Sequence, residues 1–128
     1  MSIDSELYTR LTNDAGISAL VSAKVYPVQL PQDVVLPAIV YFKVSGPRLH
    51  HLGGASGRAH ARFQIDSWAA TPLAAKNLAD AVRSSLGGFT GTLTAIKASI
   101  KLDNERDDYE DGILAYRVIQ DYIINHTE

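Results

Sequence analysis

An α+β domain built on a single antiparallel or mixed β-sheet of about four to five strands is the fold class this sequence predicts. Three observations predict it. Strand-like runs come in pairs and do not alternate one for one with helices. A Thr-Pro signal opens one long amphipathic helix. The chain has 128 residues, 46% hydrophobic and 20% charged, which suits a single compact core. The whole chain, 1–128, is therefore expected to form one domain, with its sheet covered by a main helix at about 71–86 and a short N-terminal helix.

The elements follow from local chemistry. From Ser5 to Thr12, Leu7 and Leu11 lie four apart beside Tyr8 and so share a helical face, with Ser2 or Asp4 available as N-cap. Gly16 interrupts this helix, and Ile17, Leu20 and Val21 suggest one further turn. Val25 and Tyr26 lead into Pro27 and Pro31, an irregular extended crossing. Pro37 opens the β-branched and aromatic run Ala38-Ile39-Val40-Tyr41-Phe42-Lys43-Val44, a strand expected inside the sheet. Between Gly46 and Gly57 the stretch GPRLHHLGGASG has four Gly and a Pro, the composition of a long mobile loop. The next strand alternates, with Ala61, Phe63, Ile65 and Ser67 on a core face and His60, Arg62, Gln64, Asp66 and Trp68 on a polar one.

Thr71-Pro72 is the strongest local signal, because a Thr cap satisfies one orphan donor and Pro at the first helical position removes another. Ala75, Leu78, Ala79, Val82 and Leu86 continue as one apolar face, and Gly87-Gly88 supplies a left-handed stop. Thr92 to Leu102 then reads as a strand, Asp103 to Gly112 as an acidic turn, and Ile113 to Asn125 as a long final strand. That last strand is apolar on both faces, with Tyr116, Val118, Tyr122 and Ile124 on one and Ala115, Ile119 and Ile123 on the other. One face thus needs a cover beyond the main helix, supplied by the N-terminal helix or by a neighbouring subunit, with Tyr122 and Trp68 as anchors in the second case.

Composition excludes several functions. Twelve Lys and Arg against 14 Asp and Glu give a net charge of −2, which offers no global attraction for nucleic acid. Scattered Arg48, Arg58, Arg62, Lys97, Lys101 and Arg117 form no aromatic-interleaved RNA platform. The absence of Cys removes disulfide scaffolds, thiolate zinc sites and cysteine nucleophiles. No run approaches the ~18 apolar residues of a membrane span, and Met1-Ser2-Ile3-Asp4-Ser5-Glu6 has no basic or apolar signal region, so a soluble, unexported cytosolic product is expected.

Catalytic, cofactor and metal sites are likewise not expected. Six carboxylates fall in the nine residues from Asp103 to Asp111, but Asp108 stands where a calcium loop requires Gly, so the run reads as a solvated hairpin tip. His50 and His51 are adjacent and would diverge on an extended chain. His60 and Asp66 share a strand face roughly 20 Å apart, too far for one site, although with the acidic turn they define the alternative of a small metal-dependent hydrolase. Nucleophile-elbow, phosphate-loop and dinucleotide signatures are absent. A surface for protein contacts remains.

The order of several segments resembles a known family. They are Leu20-Val21, Val25-Tyr26-Pro27, Leu30-Pro31-Gln32, Leu36-Pro37-Ala38-Ile39-Val40-Tyr41, Arg62-Phe63-Gln64-Ile65-Asp66-Ser67-Trp68-Ala69, Ala79 to Leu86, Asp107-Asp108-Tyr109-Glu110, and Tyr116-Arg117 to Asp121-Tyr122. In order and spacing they resemble the small tail-completion proteins of long-tailed phages and prophages, which include tail-terminator and tail-to-head joining proteins. The resemblance implies a non-enzymatic structural protein of the virion tail, made in the cytoplasm of a bacterial host. It implies a homo-hexameric ring at the head-proximal end of the tail tube, contacting the tail tube protein and the head-tail connector protein. Within the family the alternative is a joining protein with no role in tube length. On this reading Arg48, Leu49, Leu52, Trp68, Tyr116 and Tyr122 are interface candidates. Asp107, Asp108, Glu110 and Asp111 are candidates for an acidic loop facing the lumen, through which DNA passes without specific binding.

Overall fold

Three polar residues start the helices. Ser2 Oγ accepts the Ser5 N–H at 3.2 Å, Asp14 Oδ1 the Ile17 N–H at 3.0 Å, and Thr71 Oγ1 the Ala74 N–H at 3.2 Å. The resulting elements are α1 (Ile3–Asn13), α2 (Ala15–Val21) and α3 (Pro72–Leu86). The computed structural model describes residues 2–93, 95–112 and 114–127, and the side chains of 49–51, 55 and 56 lie outside the described set. The first helix breaks at Asp14 and not at Gly16, because the Asp14 carboxylate is better used as a cap than inside a turn. Gly88, at φ +78°, carries the left-handed turn after α3.

Seven strands form one mixed sheet among the described residues: β1 (Val25–Pro27), β2 (Ala38–Ser45), β3 (Arg48–His51), β4 (Gly54–Ala69), β5 (Thr90–Thr92), β6 (Lys97–Glu110) and β7 (Ala115–Thr127). Their order is β1-β2-β4-β7-β6-β5, with β3 added to β4. Only β1 is parallel to its neighbour; the other pairs are antiparallel. The count exceeds the expected four to five because β1, β3 and β5 are too short to show a period.

Two stretches that read as loops are strands. The Gly-rich segment from 46 to 57 is the β3–β4 hairpin, in which His51 pairs with Gly54 across Leu52-Gly53. Its glycines serve geometry: Gly57 sits at φ +78° where the register shifts between Arg48 and His50, a bulge position closed to most side chains. The acidic segment continues β6 through Glu110, opposite a β7 whose apolar residues require a paired neighbour, and the turn shrinks to residues 111–114. Ile113, the expected start of the last strand, lies outside the described residues, and β7 begins at Ala115.

All three helices cover one face of the sheet. Leu7 and Leu11 of α1, Ile17 and Val21 of α2, and Leu78, Val82 and Leu86 of α3 meet Ile39, Phe63, Ile65, Ile100, Tyr122 and Ile124 in one buried core. Each such side chain contributes roughly 1.5–3 kcal/mol of transfer free energy. The N-terminal helix therefore does not cover the second face. There the crossing segment lays Leu30 and Leu36 over Val40, Trp68 and Ala115, which explains the extended path between Pro27 and Pro37. Trp68, expected on a polar face, is 7% exposed for that reason.

Candidate assembly surfaces

Charged side chains cover the rest of the second face. Arg117 on β7 reaches Asp66 on β4 at 3.1 Å and Asp108 on β6 at 2.8 Å, and its guanidinium lies 5.0 Å above the Trp68 ring. Arg62 meets Asp103 at 2.6 Å, and Arg106 meets Asp121 at 3.4 Å. These pairs tie three adjacent strands together, and Ile119 and Ile123, among them on β7, are buried.

The two carboxylates held by Arg117 titrate in opposite directions. Burial pushes the Asp66 carboxyl up, against the Gln64 hydrogen bond and the Arg117 charge. The Arg117 hydrogen bond, helped by the Tyr109 N–H, holds Asp108 down. Asp66 thus binds its proton at higher pH in the folded chain than in the unfolded one, so its contribution to stability rises as pH falls through the folded value. Asp108 has the reverse sign: its contribution is present above its unfolded value and is lost as pH falls through the folded one. Asp66→Asn is expected to remove the first component, leaving a profile that only declines with acid; pH-dependent urea denaturation of the two proteins checks it.

The acidic run is dispersed. Lys76 of α3 pairs with Asp107 at 2.6 Å, while Asp108 turns to the opposite face, as adjacent strand residues must. Glu105 accepts the Gln120 amide at 2.8 Å. Glu110 and Asp111 lie exposed at the hairpin end, with no ion pair among the described residues. Of the four carboxylates expected at the lumen, Asp107 and Asp108 are thus held in ion pairs, and Glu110 and Asp111 are exposed.

The interface candidates separate in the same way. Tyr122 is 0% exposed, its hydroxyl donating to Gln120 Oε1 at 3.1 Å inside the main core, so it is a core residue and no anchor for a partner. Trp68 is likewise enclosed within the chain. Tyr116 is half-buried, its ring 4.7 Å from Tyr109. Arg48 is exposed at the start of β3, donating to the Gly46 carbonyl at 2.8 Å. Leu52 is fully exposed at the turn of the β3–β4 hairpin. The Leu49 side chain lies outside the described residues, as do those of His50 and His51.

Sequence reasoning missed Leu114 and Leu73, each 71% exposed, beside the β6–β7 turn and on the first turn of α3. A leucine two residues after Asp111-Gly112 was the available signal for the first. The strands thus run between two ends that both present apolar residues, Leu52 at one and Leu73 and Leu114 at the other. His60 and Asp66 are not brought together: His60 Nδ1 is 2.6 Å from Asn125 Oδ1, and Asp66 faces Arg117. Among the described residues there is no group of three His, Asp or Glu able to hold a metal ion, and no helix long and apolar enough to cross a membrane.

The family model described as tail completion protein gp17 matches residues 5–126. The chain belongs to this tail completion family. Membership makes it a structural protein of the phage virion tail. A solved chain from the "Virion of native gene transfer agent (GTA) particle" is similar in fold, with a TM-score of 0.82 at 20% identity, covering 99% of this chain and 96% of that one. No curated protein matches the sequence. Every segment that carried the resemblance, from Leu20 to Tyr122, falls inside the span matched by the tail completion model.

Proposed function

We propose that this tail completion protein forms a hexameric ring on the head-proximal end of the tail tube, ends tube growth there and offers its other end to the head-tail connector. The observation that carries the reading is the pair of opposed apolar ends, Leu52 on the β3–β4 hairpin and Leu73 with Leu114 beside the β6–β7 turn. A capping ring between two partners needs two such surfaces, and isolated apolar side chains on hairpin turns are suited to becoming buried on docking. Mixing the purified protein with tail tubes is expected to add a ring at one tube end in negative-stain electron micrographs. Bare ends at saturating protein would overturn the reading.

Within the ring, Glu110 and Asp111 face the lumen and repel DNA phosphate, so the passing genome does not adhere. Asp107 and Asp108 contribute little to this field, since Lys76 and Arg117 neutralise them. Combining Glu110→Gln with Asp111→Asn is expected to leave particle assembly intact and to slow DNA ejection, most clearly at low ionic strength. An ejection rate equal to wild type would place this hairpin end away from the DNA path.

A further inference from the structure

The sheet has one long open edge. β6 pairs with β7 along its length, but on its other side β5 reaches only from Lys97 to Ser99. At Ile100 the edge is closed by the chain after α3, the Ile100 N–H donating to Phe89 O at 2.8 Å and the Gly88 N–H to Ile100 O at 3.0 Å. From Lys101 to Glu110 no strand lies against it among the described residues. The outward direction of the Ile100 groups fixes the rest, since such groups recur at every second residue and the bulge between Leu102 and Asn104 shifts the alternation by one. Beyond the bulge, Glu105, Asp107 and Tyr109 turn their backbone donors and acceptors away from β7. Those of Glu105 and Asp107 face solvent.

An unpaired edge invites another strand, and its side chains decide which. From Asp103 to Asp111 this edge carries six carboxylates and one cation, Arg106; Arg62, Lys76 and Arg117 pair with Asp103, Asp107 and Asp108, which leaves Glu105, Glu110 and Asp111 without an ion pair among the described residues. The opposite side of the sheet has the complementary composition. Between Asp33 and Asp66 there is no acidic residue, while Lys43, Arg48, Arg58, Arg62 and three histidines all fall there, on β2, β3 and β4, with Lys43 already paired to Asp4 and Arg62 to Asp103. That side is also open, since β1 pairs only Ile39 to Tyr41 and leaves the outer edge of β2 beyond Tyr41, and of β3, without a strand among the described residues. Two unlike open edges on one chain, the one on β6 with three carboxylates outside any ion pair among the described residues, meet the requirement for a heterologous contact that closes into a ring.

We propose that the open edge of β6 accepts the β2–β3 edge of a second copy as an added antiparallel strand, so that the sheet continues from copy to copy. This rests on the ring reading above and names its subunit contact. The pairings make β2 and β3 antiparallel to β6, a relation that rotation about an axis along the strands preserves. β3 lies level with the Lys97 end of β6, so successive copies are staggered along the strands, the shear that closure of a sheet requires.

The test uses two substitutions at one site. Asp107→Pro and Asp107→Asn both remove the Lys76 ion pair, but only proline removes the outward N–H. Both are expected to keep the wild-type circular dichroism spectrum. Asp107→Asn should cap tail tubes as wild type does, and Asp107→Pro should lower the number of capped ends by at least about tenfold. Because the chain has no cysteine, paired replacements give an independent readout. Val44→Cys or Arg48→Cys combined with Glu105→Cys or Asp107→Cys should give, on oxidation of tube-bound protein, a covalent ladder that neither single replacement gives. Cross-linking of a β6 single replacement to itself, or normal capping by Asp107→Pro without any ladder, would overturn the proposed pairing while leaving the ring reading intact. Absence of wild-type rings on tubes would remove both. A misfolded Asp107→Pro leaves the decision to the ladder.

Discussion

Deleting His50 to Ser56 is expected to leave the domain folded and to abolish productive docking. The deletion removes most of β3 and the turn beyond it, yet leaves Leu49, Gly57 and Arg58 to close the hairpin across the Arg48 and Ala59 pair. Among the described residues no member of the buried core is lost, because the main cluster on this strand begins at Ala61. Stability should therefore change by less than about 1 kcal/mol, as for most surface changes. Docking is another matter. A fully exposed leucine on a hairpin turn has no partner in the free chain, and removal of a buried anchor typically costs about 2 kcal/mol or more, upwards of 30-fold in affinity. Leu52→Asp alone should reproduce much of the loss. The measurement pairs a melting curve with counts of complete particles in lysates; a wild-type particle count from either variant would show that this end of the sheet makes no contact in the virion.

Tyr122→Ala is expected to have the opposite signature, a general loss of stability. The ring is 0% exposed and packs in the cluster that joins α1, α2 and α3 to the sheet, so truncation should cost about 3–5 kcal/mol. Tyr122→Phe keeps the packing and removes only the hydroxyl bond to Gln120, at a cost of about 1 kcal/mol. Urea titrations of the three proteins separate the two contributions. A Tyr122→Ala protein of wild-type stability would mean that this face of β7 is not the core.

The contrast at Tyr122 shows what was legible in the sequence. Alternation placed Tyr116, Val118, Tyr122 and Ile124 together on one face of the last strand, and the Thr71-Pro72 start and Gly87-Gly88 stop located α3 within a residue or so. Periodicity does not say which of two apolar faces meets the helices, because that depends on where α1 and α2 return. Both return to the same face as α3, leaving Trp68 and Ala115 to the Leu30–Leu36 crossing. The Gly-rich and acidic segments were misread for a related reason. Glycine marks both flexible loops and the positive-φ positions of bulged hairpins, and a row of carboxylates reads as a solvated turn unless its cations are visible. Here two of those cations, Lys76 and Arg62, lie 31 and 41 residues from their carboxylates in sequence, and Arg117, nine residues from Asp108, meets it only once β6 and β7 pair.

The assembly surfaces were legible only in part. Leu52 stood out as an apolar residue amid glycines, whereas the open edge of β6 is a property of topology: it exists because β5 begins only at Thr90, opposite Ser99, while β6 continues to Glu110. The family pattern, by contrast, was carried by order and spacing along nearly the whole chain, and the match over residues 5–126 has that same extent.

The central claim, that this tail completion protein caps the tube and joins it to the head, is tested most directly by deleting its gene from the phage or prophage that carries it. The induced lysate is then imaged by negative-stain electron microscopy. The account predicts overlong or headless tails beside full, unattached heads, restored to complete particles by the wild-type gene supplied in trans. Tails of normal length beside unattached full heads would assign the joining role alone, and intact infectious particles would contradict the account.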